Sequence, residues 1–197
     1  MNPASAELRA AVQERFAKVA LSPADEQRFP VGPISAKKLG YDPTEIGALP
    51  ISATESFCGV GNPLSLGEVH PGQTVLDLGS GAGLDCLLAA RRVGPKGTVV
   101  GLDMCNEMIA KAQLNAKRLN LSNVEFVNAG IEKLPIPDDS VDVVISNGVF
   151  NLCPEKPAVL AEAFRVLRPC GRLQMADILL DEGVTPEEVA RKGAWSD

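Results

Sequence analysis

Apolar positions along the chain follow two periods, and the change between them divides it. Near the start, Leu8, Val12, Phe16 and Val19 recur at helical spacing, with Arg9, Glu14 and Lys18 around the rest of the turn. This predicts an amphipathic helix over Ala6–Leu21. From Ser22 to about Pro63 the periodicity is lost among Pro30, Pro33, Pro43 and Pro50. Only short helices, such as Thr44–Ala48, are expected there, and so long a connection is usually functional or mobile.

After His70 and the Pro71-Gly72 turn, short β-rich runs alternate with helical stripes. Strands are expected at Thr74–Leu78, Thr98–Leu102, Val124–Val127, Val141–Ser146 and Arg172–Asp177, the last preceded by a Pro169–Gly171 turn. Between them, Leu84, Leu87 and Leu88 mark a helix ending near Gly94-Pro95. Met104, Met108, Ile109 and Ala112 begin a helix that stops near Asn120. Val159, Leu160, Ala163, Phe164 and Leu167 stripe another. Repeated βα units specify an α/β fold, a Rossmann-like parallel sheet with helices on both faces. Residues 1–69 are expected to form a helix and lid or loop segment packed on a 70–197 core, one structural domain overall. Beyond Asp177 there is room for a turn and a helix over Pro186–Lys192. The chain is therefore expected to lack the last two strands of a complete sheet and to leave the fifth with a partly uncovered edge.

Composition narrows the partners. A net charge of −6, from 19 basic and 25 acidic residues, gives no positive footprint for nucleic acid. No apolar run approaches the ~20 residues of a membrane span, and Met1–Ala4 lacks the layout of a secretion signal. The five cysteines form an odd set without CxxC spacing, which predicts neither disulfide framework nor metal site and suits a reducing cytoplasm. Oligomeric state is not legible.

The chemistry begins at Asp77-Leu78-Gly79-Ser80-Gly81-Ala82-Gly83-Leu84-Asp85, between the first strand and its helix. Such loops lie at the carboxyl ends of strands, where open α/β sheets bind ligands. Dinucleotide binding needs glycine at position 84, where this chain has Leu84; the third glycine comes one residue early, at Gly83. S-adenosylmethionine (SAM) has no pyrophosphate to lay on the helix, and Asp77 suits its cationic amino-acid end. An ordinary tight turn would also use these glycines. Asp103, ending the second strand, is placed to accept from both ribose hydroxyls, or simply to favour a helix N-terminus. Met104 beside it either packs on an adenine or belongs to the core. After the third strand, Glu132 is placed to orient an amide or meet the exocyclic amine, or stands solvated. Acids at the ends of three successive strands, after such a loop, favour SAM.

From about Leu39 onward the chain resembles the arsenite methyltransferase family of SAM enzymes. The resemblance lies in Leu39-Gly40-Tyr41, Gly59-Val60-Gly61-Asn62-Pro63, Val75–Asp85, Val93-Gly94-Pro95, Gly101–Met108, Asn123–Phe126 and Asp139–Leu152. It continues through Leu167–Leu173 and Met175-Ala176-Asp177. It implies a class I methyltransferase fold, with SAM contacts at Gly79, Ser80, Gly81, Asp103, Met104, Ile131 and Glu132, and Asn147 beside the cofactor. It also implies methylation of As(III) held by thiolates, and here the chain departs from the family. Val60 and Gly148 stand where family members carry cysteines, and a third lies beyond the family tryptophan that Trp195 resembles. Cys58 and Cys153 are the stand-ins bordering those positions, making Cys58, Asn147 and Cys153 the acceptor-side candidates. Cys86, Cys105 and Cys170 read as structural. His70, the single histidine, reads as a turn residue rather than a base. The expectation is methyl transfer from SAM to a small molecule, As(III) in the family pattern. The alternatives are a C- or O-methyltransferase with a changed acceptor, or a non-catalytic SAM-binding fragment.

Overall fold

The computed structural model describes residues 3–179 and 182–183. Five parallel strands form one sheet in the order β3-β2-β1-β4-β5: β1 (Thr74–Leu78), β2 (Thr98–Asp103), β3 (Val124–Asn128), β4 (Val141–Asn147) and β5 (Leu167–Ala176). The chain winds outward from β1 through β2 to β3, then returns to β4 on the other side of β1. The direction of winding therefore reverses between β1 and β4, and a crevice opens there at the strands' carboxyl ends.

Alternation along the strands sorts the core. Val75, Val99, Phe126, Val143 and Ile145 face α5 (Leu84–Val93) and α6 (Asn106–Arg118). Leu76, Leu78, Leu102 and Val144 face the other way, toward Val159, Ala163 and Val166 of α7 (Lys156–Val166). The strands are apolar on both faces because both are covered.

The proline-rich stretch is more ordered than its composition suggests. Pro33 and Pro43 begin α2 (Pro33–Lys38) and α3 (Pro43–Gly47), and Pro50 precedes α4 (Ile51–Thr54). Proline at a helix start sacrifices an N–H that has no partner anyway. Asp42 caps α3, accepting from Thr44 N at 2.6 Å and Glu45 N at 3.1 Å. Tyr41, Ile46, Leu49, Phe57 and Leu64 are buried in the α5 side of the core. This connection is part of the packed body. Ahead of it, α1 (Pro3–Leu21) lays Val19 and Ala20 against Cys105 and Met108 at the start of α6.

Two expectations need correction. Of the expected α7 stripe, Val159 and Ala163 are buried, with Val166, and Leu167 opens β5 and packs half-buried on the same core; Leu160 is 46% exposed and Phe164 82%. Positions 160 and 164 lie about 100° around the helix from 159 and 163, off the face that meets the sheet. The Pro169–Gly171 turn lies within β5 rather than before it. Val141 pairs with Leu167 and Val143 with Arg172, so residues 168–171 loop out opposite Asp142. Cys170 there has φ +68°. The helix expected over Pro186–Lys192, and Trp195, lie outside the described residues. Among the described residues no helix is long and apolar enough to cross a membrane.

Candidate functional site

The crevice is a cleft of about 850 Å³, open to solvent at its mouth. Gly79 and Gly81 follow β1, Asp103 and Met104 follow β2, Gly130, Ile131 and Glu132 follow β3, and Asn147 and Gly148 follow β4. Cys58 and Cys153 also line it. The sheet thus brings nine sequence-identified residues together: Cys58, Gly79, Gly81, Asp103, Met104, Ile131, Glu132, Asn147 and Cys153.

The glycine loop is tied to β2 through its backbone: the N–H groups of Gly79 and Ser80 both donate to Leu102 O at 2.8 Å. Gly79 has φ +77°, and a side chain there would run into Val149. Gly81 also has positive φ, with open space beside it. Its N–H donates to Asp103 Oδ2 at 2.8 Å, and Cys105 N donates to Asp103 Oδ1 at 2.8 Å. Each carboxylate oxygen has thus used one lone pair and keeps capacity for a ligand hydroxyl. Burial raises the Asp103 carboxyl above its ordinary range, opposed by these two backbone bonds.

Asp77, Ser80 and Gly83, grouped with these from the sequence, do not line the cleft. Asp77 alternates onto the α5 side of β1 and is 2% exposed. Cys86 Sγ donates to it at 3.2 Å, and desolvation with the nearby Asp85 charge raises its pKa well above the usual carboxylate range. The Ser80 hydroxyl is buried without a protein partner. Gly83 serves packing: a Cβ there would lie 2.9 Å from the Phe126 ring, so its absence lets α5 sit against the sheet.

Asn147 is engaged on both sides of its amide. Its Oδ1 accepts from Val60 N at 2.8 Å and Gly61 N at 3.1 Å, and its Nδ2 donates to Gly61 O at 2.9 Å. It therefore anchors the Gly59–Gly61 turn to the end of β4. Val60 meets Gly148, where a built Cβ would lie 3.3 Å from Val60 Cγ1. The two positions that carry cysteines in the family pattern are therefore in contact. The stand-in thiols lie elsewhere on the wall. Burial pushes both Cys58 and Cys153 up to about 12; Asp103 and Glu26 add to it at Cys58, and at Cys153 Glu132 and Asp177 add to it against Lys156 and Arg9.

Sequence reasoning missed three contributors. Arg9, Val12, Gln13 and Phe16 bring α1 across the cleft wall. Arg9 Nη2 pairs with Glu132 Oε1 at 2.5 Å, and Gln13 Nε2 donates to Met104 O at 3.0 Å. Glu132 is thus neither solvated nor free, as its position after β3 suggested, but held by a helix more than a hundred residues earlier. The only cue to α1's role is its polar flank, which resembles any solvated helix face. Asp177 is the second: its carboxylate accepts from Val149, Phe150 and Asn151 N–H groups at 3.2, 2.7 and 3.1 Å, fixing the loop after β4. Tyr41 and Asp85 are the third. They lie in the motifs the sequence displays, without a visible connection between them. His70 is exposed in the turn before β1, at the opposite end of the sheet from the cleft.

An open parallel sheet whose glycine loop and strand-end acid share one crevice defines a Rossmann-like nucleoside-binding fold. A methyltransferase-domain family model matches residues 69–195. A SAM-dependent methyltransferase from Aquifex aeolicus superposes with a TM-score of 0.56 at 31% identity, covering 77% of each chain. The chain belongs to the SAM-dependent methyltransferase family, whose cofactor is SAM. Within that family it is similar to arsenite methyltransferases. It is 49% identical to the Halobacterium salinarum enzyme over 144 residues, 73% of this chain and 37% of that one. An arsenic(III) SAM methyltransferase from Chlamydomonas reinhardtii superposes with a TM-score of 0.58 at 38% identity, covering 75% of this chain and 50% of that one. The chain spans 37 and 40% of the length of the first two curated relatives.

Because Arg9–Glu132 is a half-buried pair bridging the cleft wall, Arg9→Ala is expected to weaken SAM binding roughly threefold, the scale of a partly screened ion pair. Titration calorimetry at low and high salt checks it: the unaltered chain should lose affinity with salt and the variant should not.

Proposed function

We propose that this chain is the SAM-binding catalytic portion of a small-molecule methyltransferase whose acceptor is not held by thiolates. The carrying observation is the contact of Val60 with Gly148. The place where the arsenite pattern gathers sulfur is here closed by an aliphatic side chain and a glycine. Relocated thiols are poorly suited to replace it, since burial pushes Cys58 and Cys153 up to about 12 and disfavours the thiolates that a soft As(III) needs. Among the described residues no cluster of three or more His, Cys, Asp and Glu side chains could hold a metal ion.

The residues fit SAM on their own chemistry. Asp103 retains acceptor capacity for two hydroxyls, the glycine loop is open beside Gly81, and the buried Ser80 hydroxyl lacks a protein partner. We assign Asp103 to the ribose, Met104, Ile131 and Glu132 to the adenine wall, and Gly79 and Gly81 to the methionine tail, with Asp77, Ser80 and Gly83 supporting that loop from behind. Asn147 shapes the acceptor end through the turn it anchors. In this reading the described residues before 70 pack against and cover the sheet that begins at β1. Bound there, SAM supplies an electrophilic methyl group on a sulfonium. Val149 and Val60 exclude water from the acceptor, and Asp177 fixes the loop carrying Val149. Asn147 and Asp177 are hydrogen-bonded, so the acceptor must bring its own nucleophile, a stabilised carbanion or an already ionised oxygen. The net charge of −6 gives no footprint for nucleic acid, and five free cysteines suit the cytoplasm.

The test is incubation with methyl-labelled SAM and either arsenite or a metabolite extract, with products identified by mass spectrometry. A labelled organic product with no methylated arsenic is expected. Methylarsenic would restore the thiolate reading, through Cys58 and Cys153. SAM binding without transfer to either would make the chain a binding module.

A further inference from the structure

Behind the glycine loop, Asp85 and Tyr41 lie outside the cleft and bond to Asn147 on its wall. Asp85, in the first turn of α5, is 5% exposed. Its Oδ1 accepts from the Tyr41 hydroxyl at 2.6 Å, and its Oδ2 accepts from Asn147 Nδ2 at 3.2 Å. Asn147 Nδ2 also donates to the Tyr41 oxygen at 3.1 Å, closing a ring of three side chains. From that ring, Asn147 reaches Val60 N, Gly61 N and Gly61 O. The carboxylate thus bonds directly to the side chain that clamps the Val60–Gly61 turn, without itself lining the cleft.

Burial makes the charge of Asp85 expensive. Asp77 on β1 and Cys86 on α5 lie beside it and donate nothing to it, whereas Tyr41 before α3 and Asn147 at the end of β4 each donate one hydrogen bond. The cation that acts on it is Arg92, at the far end of α5, which is already paired with Glu45 at 3.1 Å. A neutral amide of the same shape would avoid that cost. A buried acid that a neutral isostere would replace more cheaply is a candidate for a role beyond stability.

We propose that Asp85 is a positioning residue for the acceptor end of the cleft, its carboxylate orienting Asn147 and Tyr41 so that the Val60–Gly61 turn stays seated. The inference rests on the reading of that end as the acceptor pocket. Asp85→Asn keeps an acceptor for Tyr41 but turns a donor toward the Asn147 amide. The Asn147 amide, facing a donor in place of an acceptor, then shifts and loosens its hold on Val60 N and Gly61 N. The acceptor wall loosens, while Asp103 and the glycine loop, held by backbone bonds, stay in place.

Cys58, two residues before Val60 and partly exposed, is a native reporter for this turn, with exposed Cys170 as the reference. The experiment measures iodoacetamide labelling of Cys58 relative to Cys170 by peptide mass spectrometry, beside SAM affinity by calorimetry and the thermal midpoint. For Asp85→Asn the labelling ratio is expected to rise about tenfold, with SAM affinity within about threefold and no fall in midpoint. Asp85→Glu should restore the low ratio. Burial raises the Asp85 carboxyl above the usual range, so it takes up a proton as pH falls from neutral. The ratio in the unaltered chain should therefore climb on acidification below neutral pH. The ratio in Asp85→Asn should stay flat. An unchanged ratio in the variant overturns the proposal, as does loss of SAM affinity in a folded Asp85→Asn chain, which would tie Asp85 to the cofactor. Failure of the unaltered chain to bind SAM instead refutes the reading beneath it. If Asp85→Asn does not fold, the acidification series on the unaltered chain decides, a level ratio counting against the proposal.

Discussion

Replacing Asp103 by alanine is expected to weaken SAM binding about 100-fold, measured by titration calorimetry. The side chain is the one acid at a strand end that both lines the cleft and keeps lone pairs for a ligand. Two hydrogen bonds to a charged acceptor contribute about 1.5–3 kcal/mol each, and the lower figure for both already gives that factor. Part of the loss has a second origin. Alanine also strips Gly81 N and Cys105 N of their acceptor, so the glycine loop loses its link to β2. Asp103→Asn separates the two effects, because its single oxygen can serve only one of these N–H groups while its shape is kept. An intermediate loss is expected from it. The folded midpoint should fall in Asp103→Ala, which leaves Gly81 N and Cys105 N without an acceptor, and fall less in Asp103→Asn, so affinities are compared only on chains that remain folded.

The second large effect is a gain. Val60→Cys with Gly148→Cys is expected to convert a chain with no thiolate pair into one that retains one As(III) per chain through dialysis, counted by elemental mass spectrometry. Position 148 lies in contact with Val60, so two sulfurs placed there can share one soft ion. Each single variant supplies one thiolate, and the second ligand then binds intramolecularly, which should tighten the pair about 100-fold over either. The change has a structural cost. Gly148 has φ +71°, and a residue with a Cβ there costs about 1–2 kcal/mol. The midpoint should fall with Gly148→Cys and recover partly when arsenic binds. Stoichiometric arsenic on the unaltered chain would instead show that Cys58 and Cys153 suffice.

The sheet was the most legible part of the chain. Val75–Leu78, Val99–Leu102 and Val141–Ile145 are apolar on both faces, and only a strand covered on both sides uses such runs. The α7 stripe misled because Leu160 and Phe164 follow the same spacing as Val159 and Ala163, and periodicity alone cannot say where a sheet ends. In the site, Gly79, Gly81 and Asp103 were readable because each takes its role from its position at a strand's end. Asp77 was not: alternation along β1 turned it away from the cleft toward Cys86, which no motif records. Arg9 and Tyr41 were invisible as partners for a different reason. Their contacts to Glu132 and Asp85 join elements far apart in sequence, and a single chain carries no signal of such pairings. Asn147 was located correctly but its work was not, since its bonds run to the Gly59–Gly61 backbone rather than out into the cleft.

The claim beneath all of this is that the crevice between β1 and β4 is built for the nucleoside of SAM and not for a dinucleotide. Thermal unfolding with rising SAM, against rising NADH, tests it most directly. A ligand at 100 times its Kd adds about 2.7 kcal/mol. For a chain of this size that is roughly 5–10 °C. The expected result is a dose-dependent rise with SAM that Asp103→Ala abolishes at the same concentrations, and none with NADH. A midpoint that follows NADH, or ignores SAM altogether, would contradict the account.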